Sequence, residues 1–194
     1  MNTRRVAGLV LAGGRALRMG GVDKALLTVG GRSMIASVIA AIDLPVMAIS
    51  ANGDPVRFAG FGLPVLSDGE FAGQGPLAGV LAGLDWAAAQ GMTALLTAPC
   101  DTPCLPRGLA EQLWPPPLAA ASGGQRHHLI ACWPVSCAAS LRALLSVPGP
   151  RQAGRFADGI GMHYVDMPKQ DLEPFANVNT PEELARIRAL AAQR

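Results

Sequence analysis

The chain has 194 residues, half of them hydrophobic and 15% charged, and its formal net charge is +2. This composition is sufficient for a core on both faces of a sheet, so we expect one domain over residues 1–194. A net charge so close to zero does not indicate a nucleic-acid partner. No apolar run reaches the roughly 18 residues of a membrane helix, so no membrane span is predicted.

The N-terminal region imitates a short secretion signal, because Met1–Arg5 is basic and Val6–Leu11 is apolar. The apolar run stops at Gly13 and Gly14, however, and is short for the hydrophobic core of a signal peptide. Its length and its β-branched residues predict a buried strand instead. We therefore expect a cytoplasmic protein whose first strand is Val6–Leu11.

A glycine-rich segment with three cations follows this strand. Gly13 and Gly14 are adjacent, and Arg15, Arg18 and Lys24 lie close behind them. Glycine lets the backbone turn sharply, and the N–H groups exposed in such a turn form an anion site. The spacing matches neither the Walker loop nor the G-x-G-x-x-G dinucleotide loop. It predicts a polyphosphate cradle, and the open alternative is an ordinary strand-to-helix turn with solvated arginines.

The remainder of the chain alternates between strand and helix patterns. Further predicted strands are Val46–Ser50, Pro64–Leu66, Thr93–Ala98, Leu118–Ala121, Leu129–Pro134 and His163–Asp166. Predicted helices are Ser33–Ile42, Pro76–Ala89, Arg107–Leu113, Ser136–Ser146, Gln152–Asp158 and Thr180–Ala192. This alternation predicts an α/β fold, a three-layer sandwich around a mainly parallel sheet. Ligands of such sheets bind beyond the carboxyl ends of the strands, where the segments after the first, second and fourth predicted strands converge.

Asp101 is the strongest single candidate for chemistry. It follows the apolar strand Thr93–Ala98, and Pro99 and Pro103 on either side stiffen its loop. A carboxylate held there can bind Mg²⁺ against a substrate phosphate, because Mg²⁺ often takes only one or two protein ligands. A turn-forming or helix-capping aspartate is the alternative interpretation.

Two cations of the glycine-rich segment are candidates for phosphate contacts. Lys24 can neutralise charge that develops during phosphoryl transfer. The guanidinium of Arg18 can donate to two phosphate oxygens at once. Solvated surface charges are the alternative for both residues.

The cysteines give no sign of a metal or redox site. Cys100, Cys104, Cys132 and Cys137 are separated by spacings that match no common zinc or redox pair. We expect buried or half-buried free thiols in a reducing compartment.

Four separated motifs occur in order along nearly the whole chain. Residues 11–24 read LAGGRALRMGGVDK, residues 75–79 read GPLAG, residues 99–103 read PCDTP, and residues 177–184 read NVNTPEEL. Together they resemble the molybdenum cofactor guanylyltransferases, a group within the nucleotidyltransferases. The chain departs from the group's pattern at Arg32–Met34, where relatives often carry a basic residue, proline and leucine.

The resemblance implies a Rossmann-like nucleotidyltransferase fold and a reaction that transfers GMP from GTP to molybdenum-molybdopterin with release of pyrophosphate. It implies Mg²⁺ on Asp101 and catalytic roles for Lys24 and Arg18. The implied nucleotide-binding residues are Leu11, Ala12, Gly13, Gly14, Lys24, Asn52, Asp68 and Asp101. Among them, Asn52 and Asp68 are expected to contact the base and ribose, although Asn-Gly and Asp-Gly also form turns. Asn179 is expected at the edge of the active site.

Other functions remain open at this point. The enzymatic alternatives are a molybdopterin cytidylyltransferase and a sugar-phosphate nucleotidyltransferase, and the non-enzymatic alternative is a pterin-binding carrier. Gly13 favours guanine, because cytidylyl relatives more often carry alanine there and a missing Cβ leaves room for a purine. Cofactor-biosynthesis or acceptor proteins are further expected partners by resemblance.

Overall fold

The computed structural model describes residues 5–13, 18–19, 22–168, 173 and 175–191. The strands in these ranges are β1 Val6–Leu11, β2 Arg18–Met19, β3 Val22–Asp23, β4 Thr28–Val29, β5 Arg32–Ser33, β6 Met47–Ser50, β7 Val65–Leu66, β8 Ala94–Pro99, β9 Leu118–Ser122, β10 Gln125–Pro134 and β11 His163–Asp166. The α-helices there are α1 Met34–Ile42, α2 Pro76–Ala89, α3 Leu109–Gln112, α4 Ala138–Ser146, α5 Ala153–Gly159 and α6 Pro181–Ala191. Every strand and helix predicted from the sequence corresponds to one of these elements.

Seven strands form one sheet in the order β11-β9-β10-β8-β1-β6-β7. Within it, β10 runs antiparallel to β8 and β9, while the other neighbouring pairs are parallel. The reversal follows from the tight turn between β9 and β10, where Gly123 and Gly124 both have positive φ. A link this short cannot return the chain for parallel pairing. The mainly parallel three-layer α/β fold predicted from the sequence is confirmed.

Side chains of β1 alternate between two hydrophobic layers. Val6 and Val10 pack in the layer that contains α1 and α3, whereas Ala7 and Leu9 pack in the layer that contains α2, α4 and α5. All four are buried. Because both faces of the strand are covered, its sequence is continuously apolar rather than alternating.

The last helix packs outside these layers and brings the C-terminal motif to the start of the chain. Leu184 and Ile187 of α6 join a small core with Val29 and Val178. Just before α6, the Val178 N–H donates to the carbonyl of Asp101 at 2.9 Å. Asn179 therefore lies beside the carboxyl ends of β1 and β8. Within the described ranges, no helix has both the length and the apolar surface to cross a bilayer.

Candidate active site

Lys24 is a buried cation held between two motifs that are distant in sequence. Its Nζ donates to Oδ2 of Asp101 at 2.7 Å and to Oδ1 of Asn179 at 2.6 Å. Only 5% of the residue is exposed. An ammonium taken out of water needs such acceptors, so the three side chains form one unit.

The turn that carries Lys24 begins at a capping residue, Asp23. Lys24–Leu26 is a short 3-10 helix, and Asp23 caps it by accepting a hydrogen bond from the Ala25 N–H at 3.0 Å. Aspartate is a preferred N-cap because its carboxylate satisfies a backbone donor that the helix leaves free. The cap fixes where the chain leaves the glycine-rich segment and thus where the lysine points.

A cavity of about 250 Å³ opens beside this unit. Leu11–Gly13 at the end of β1, together with Lys24 and Asp101, contributes to its wall. Pro76, the first residue of α2, also lines it. Because the N-terminal end of a helix carries partial positive charge, this part of the wall favours an anionic ligand.

Asn52 and Asp68 lie at the ends of the neighbouring strands β6 and β7 and bind each other. The Asn52 Nδ2 donates to Oδ2 of Asp68 at 2.7 Å, and the Asp68 N–H donates to Oδ1 of Asn52 at 3.0 Å. A Cβ built on Gly13 would lie 3.8 Å from Nδ2 of the Asn52 side chain. Gly13 thus borders both the cavity and the Asn52–Asp68 pair, so the structure brings these predicted residues to one edge.

One charged residue of this edge escaped the sequence analysis. Nη2 of Arg57 donates to the backbone carbonyl of Asn52 at 2.9 Å, and its Nη1 lies 3.3 Å from Oδ2 of Asp23. The guanidinium also stacks over the Phe58 ring, 4.7 Å from its centroid. Arg57 lies in the 3-10 helix Pro55–Phe61, which has no motif, so nothing in the local sequence pointed to this contact.

Cys100 lines the cavity in surroundings that disfavour its thiolate. Loss of solvent and the neighbouring Asp101 raise the pKa of this thiol to about 12. A thiol with so high a pKa stays protonated near neutral pH and is a poor nucleophile.

Several predicted residues lie outside what the structure describes. Gly14 and Arg15 are not among the described residues, and for Arg18 only the backbone is described, paired with Asp23 in the β2–β3 hairpin. Their roles at phosphate stay predictions. In the described residues, no group of three or more His, Cys, Asp or Glu side chains is arranged to hold a metal ion. A metal at this edge would depend on Asp101 and on oxygens from a substrate.

Comparison with known proteins decides the family. Residues 8–168 match the MobA-like NTP transferase domain. The chain belongs to this family. A molybdenum cofactor guanylyltransferase from Acidiphilium cryptum (strain JF-5) is 51% identical over 183 residues, which cover 93% of each chain. A protein of the same name from Cereibacter sphaeroides is 49% identical over 195 residues, covering 96% of this chain and 97% of the relative. The enzyme class predicted from the four motifs, a nucleotidyltransferase, is thereby confirmed.

Solved structures with low sequence identity to this chain share the fold. Molybdopterin-guanine dinucleotide biosynthesis protein A from Archaeoglobus fulgidus superimposes with a TM-score of 0.74 at 21% identity, covering 97% of this chain and all of that one. The 4-diphosphocytidyl-2C-methyl-D-erythritol synthase of Anaerococcus prevotii superimposes with a TM-score of 0.71 at 12% identity, covering 98% and 97% of the two chains. Because proteins with these two different names share one fold, the fold alone does not select the nucleotide.

Proposed function

We propose that this enzyme transfers GMP from GTP to molybdenum-molybdopterin, releases pyrophosphate and so forms the guanine dinucleotide form of the molybdenum cofactor. The names of relatives that are about half identical over nearly the full length support this substrate pair. The observation that carries the chemistry is the Lys24 ammonium, held by Asp101 and Asn179 at the wall of the cavity. Lys24 and Asp101 together at this point favour transfer chemistry over a pterin carrier.

Lys24 supplies charge at a defined position. An ammonium has three N–H donors, and two of them bind Asp101 and Asn179. The third has no acceptor among the described residues and would donate to a phosphate oxygen in the cavity. In the proposed reaction a terminal phosphate oxygen of the pterin attacks the α-phosphorus of GTP in line, and pyrophosphate leaves. Such a step needs positioning and charge stabilisation more than covalent help from the protein.

Asp101 is suited to bind a metal ion. A carboxylate has two oxygens, and Lys24 uses Oδ2. Mg²⁺ in phosphoryl-transfer enzymes is commonly held by one or two carboxylates, substrate phosphates and water, so a larger cluster of protein ligands is not needed. When bound there, Mg²⁺ would neutralise charge on the phosphate oxygens.

The base would lie at the end of β1. Leu11–Gly13 offers main-chain donors and acceptors to a guanine edge, and the Asn52–Asp68 pair would face the base and ribose. Arg18 and Gly14 would complete the phosphate contacts. Because Asn179, near the C-terminal helix, completes the environment of Lys24, we propose that residues 1–194 act as one domain.

A competition assay tests this function. Purified enzyme, molybdopterin and Mg²⁺ are mixed with GTP, CTP or ATP, and pyrophosphate release is measured. We expect GTP to be preferred by at least about tenfold in kcat/KM, which corresponds to roughly 1.4 kcal/mol. Equal or better use of CTP would replace the guanylyl assignment with the cytidylyl one. Tight pterin binding without pyrophosphate release from any triphosphate would instead favour the carrier.

A further inference from the structure

Arg57 contacts two loops that the proposed function uses for different purposes. One nitrogen of its guanidinium donates to the main chain of Asn52, and another pairs with the Asp23 carboxylate. Its position is restricted on a third side by the Phe58 ring. The side chain of Arg57 is 24% exposed and that of Asp23 is 13% exposed, so water only partly screens the pair.

The Asp23 end of this contact leads directly to the buried lysine. Oδ1 of Asp23 caps the turn that begins at Lys24, which leaves Oδ2 to face Arg57. That Oδ2 is buried and accepts no hydrogen bond from any part of the chain that the structure describes. The positive charge of Arg57 is therefore what compensates this carboxylate oxygen. Without it, the cap would carry an uncompensated charge and would be free to turn toward solvent.

The Asn52 end leads to the residues expected at the base. Arg57 holds the Asn52 carbonyl, while the side chain of the same residue is bound to Asp68. A continuous series of contacts thus runs from Asp68 through Asn52 and Arg57 to Asp23, which caps the turn that begins at Lys24.

We propose that Arg57 is a positioning residue that couples the base-recognition loop to the turn that carries Lys24. This inference rests on the proposed function, because it assigns nucleotide recognition to one loop and charge stabilisation to the other. Arg57 is not part of the cavity wall and touches no reacting atom. It acts by keeping two loops from separate parts of the chain in one geometry. Small displacements of catalytic groups can lower rates strongly, so support of this kind affects turnover.

The test compares Arg57→Ala and Arg57→Lys with a matched control, Arg142→Ala. Arg142, on α4, also joins carboxylates, those of Asp85 and Glu70, and an aromatic ring, Phe71. None of these contacts involves Asn52 or Asp23. Two quantities are measured with molybdopterin: kcat with GTP, and the ratio of kcat/KM for GTP to that for CTP. We expect Arg57→Ala to lower kcat about tenfold and the ratio about fivefold, while Arg142→Ala changes each less than twofold. A lysine at this position can pair with Asp23 but lacks the forked guanidinium that also donates to Asn52. Compared with Arg57→Ala, Arg57→Lys should therefore restore kcat more than it restores the GTP-to-CTP ratio of kcat/KM.

Amide hydrogen exchange gives a readout that does not depend on turnover. In Arg57→Ala, amide exchange should be faster both at Lys24–Leu26 and around Asn52. In Arg142→Ala, exchange should stay unchanged at both segments. If Arg57→Ala does not fold, Asp23→Asn takes its place, since it keeps the shape and one cap oxygen but loses the charge opposite Arg57.

The outcomes separate the two proposals. An active, selective wild type with Arg57 variants that keep both kcat and selectivity overturns the coupling and leaves the proposed function standing. Loss of selectivity alone, with normal kcat and unchanged exchange at Lys24–Leu26, also overturns it. A wild type that releases no pyrophosphate overturns the function, and the exchange experiment then still decides whether Arg57 couples the loops.

Discussion

At the scale of single residues, the site depends on the acceptors that hold one buried ammonium. Among the described residues, Lys24 has two side-chain acceptors, the carboxylate of Asp101 and the amide oxygen of Asn179. Removing either acceptor changes both the charge and the direction of the lysine. The effects of substitutions here should therefore not add independently.

The first prediction concerns the charge on Asp101. Asp101→Asn keeps an oxygen for Lys24 and nearly the same shape, but it removes the anionic ligand proposed for Mg²⁺. We expect pyrophosphate release to fall by roughly 10², the usual scale for loss of a major electrostatic contributor. The measurement is turnover over a range of Mg²⁺ concentrations.

Asp85→Asn is the matched control, because Asp85 pairs with Arg142 at the surface of α2. It should leave turnover within about twofold, as expected for a solvent-exposed ion pair. Turnover of Asp101→Asn near the wild-type value at saturating Mg²⁺ would contradict the assignment.

The second prediction concerns the space at Gly13. A Cβ at this position would make only ordinary contacts, at 3.8 Å from Ala51 Cα, the Asn52 amide nitrogen and the Ser50 carbonyl oxygen. Gly13→Ala should thus fold with little loss of stability, yet it should narrow the space between the end of β1 and the base loop. We expect the preference for GTP over CTP to fall severalfold, measured as a ratio of kcat/KM, with Tm nearly unchanged. A large drop in Tm with unchanged selectivity would show that Gly13 serves the fold instead.

At the scale of elements, α2 is positioned by close contact with the sheet. Leu84 and Leu81 of the helix are buried in the same layer as side chains of β1 and β8, and Gly83 faces the sheet between them. A Cβ on Gly83 would lie 2.4 Å from Leu9 Cδ2 and 2.9 Å from Leu95 Cδ2, and a Cβ on Gly79 would lie 2.4 Å from Ser50 Oγ. These two glycines therefore allow the close approach of helix and sheet that positions the helix start at the cavity.

The third prediction tests this packing. Gly83→Ala should lower the free energy of unfolding by about 1–3 kcal/mol, because Leu9 and Leu95 are buried and cannot move aside freely. Gly159→Ala in α5 is the control, since nothing lies within 4 Å of its Cβ position. It should be neutral or add up to about 1 kcal/mol, because alanine favours helix. The measurement is denaturant unfolding, and equal stabilities of the two variants would contradict the packing argument.

The capping box of α6 makes the stability of the segment around Asn179 depend on pH. Oε2 of Glu183 accepts the Asn179 N–H at 2.6 Å and the Thr180 N–H at 3.0 Å, and the Glu183 N–H donates to Oγ1 of Thr180 at 3.2 Å. The two backbone donors favour the ionised carboxylate and hold the pKa of Glu183 below its usual 4.5. The stability from this carboxylate is therefore fully present above pH 4.5 and is lost as the pH falls through the lower pKa of the folded state.

The fourth prediction follows from this loss of stability at low pH. Glu183→Gln should have a lower Tm than the wild type at neutral pH, and the difference should shrink as the pH falls below 4.5. Glu182→Gln, in the same helical turn, is the control for the removal of one negative charge. Tm is recorded as a function of pH for all three proteins. A Tm difference for Glu183→Gln that stays constant over this pH range would rule out the carboxylate as its source.

At the scale of the whole molecule, the burial of the cysteine thiols shows how closely the helical layers pack against the sheet. Burial raises the pKa of Cys132 to about 12 and that of Cys137 to about 11, and Cys100 at the cavity also has a pKa of about 12. Cys132 lies on β10 in the layer with α1, while Cys137 packs in the layer with α2. They therefore sample opposite faces of the sheet.

The fifth prediction is that these three thiols resist alkylation in the native enzyme. At mildly alkaline pH they should react at least roughly a hundredfold more slowly with iodoacetamide than in the unfolded chain, because the thiolate is the reactive form. Peptide mapping after labelling, with and without guanidinium, measures each site. Labelling of Cys132 at the unfolded rate under native conditions would mean that its layer opens.

Local sequence was sufficient for most of the secondary structure. The run Val6–Leu11 and the helix Pro76–Ala89 were predicted with the bounds that the structure has, because a continuous apolar run and a proline at the first helical turn depend on near neighbours alone. The hairpins β2–β3 and β4–β5 were missed. Strands of two residues are too short to show the period of two by which strands are recognised.

The sequence by itself determined which residues were candidates, and only the tertiary structure decided how they meet. Lys24, Asp101 and Asn179 were each predicted from separate motifs, but their mutual hydrogen bonds depend on strand order and on the packing of α6. Arg57 was not predicted, because Asp23 comes from a distant part of the chain and the contact with nearby Asn52 uses a backbone carbonyl, which leaves no sequence pattern. A sequence pattern reflects interactions between residues that are close together along the chain. Contacts between loops form only where the sheet brings the ends of its strands to one edge.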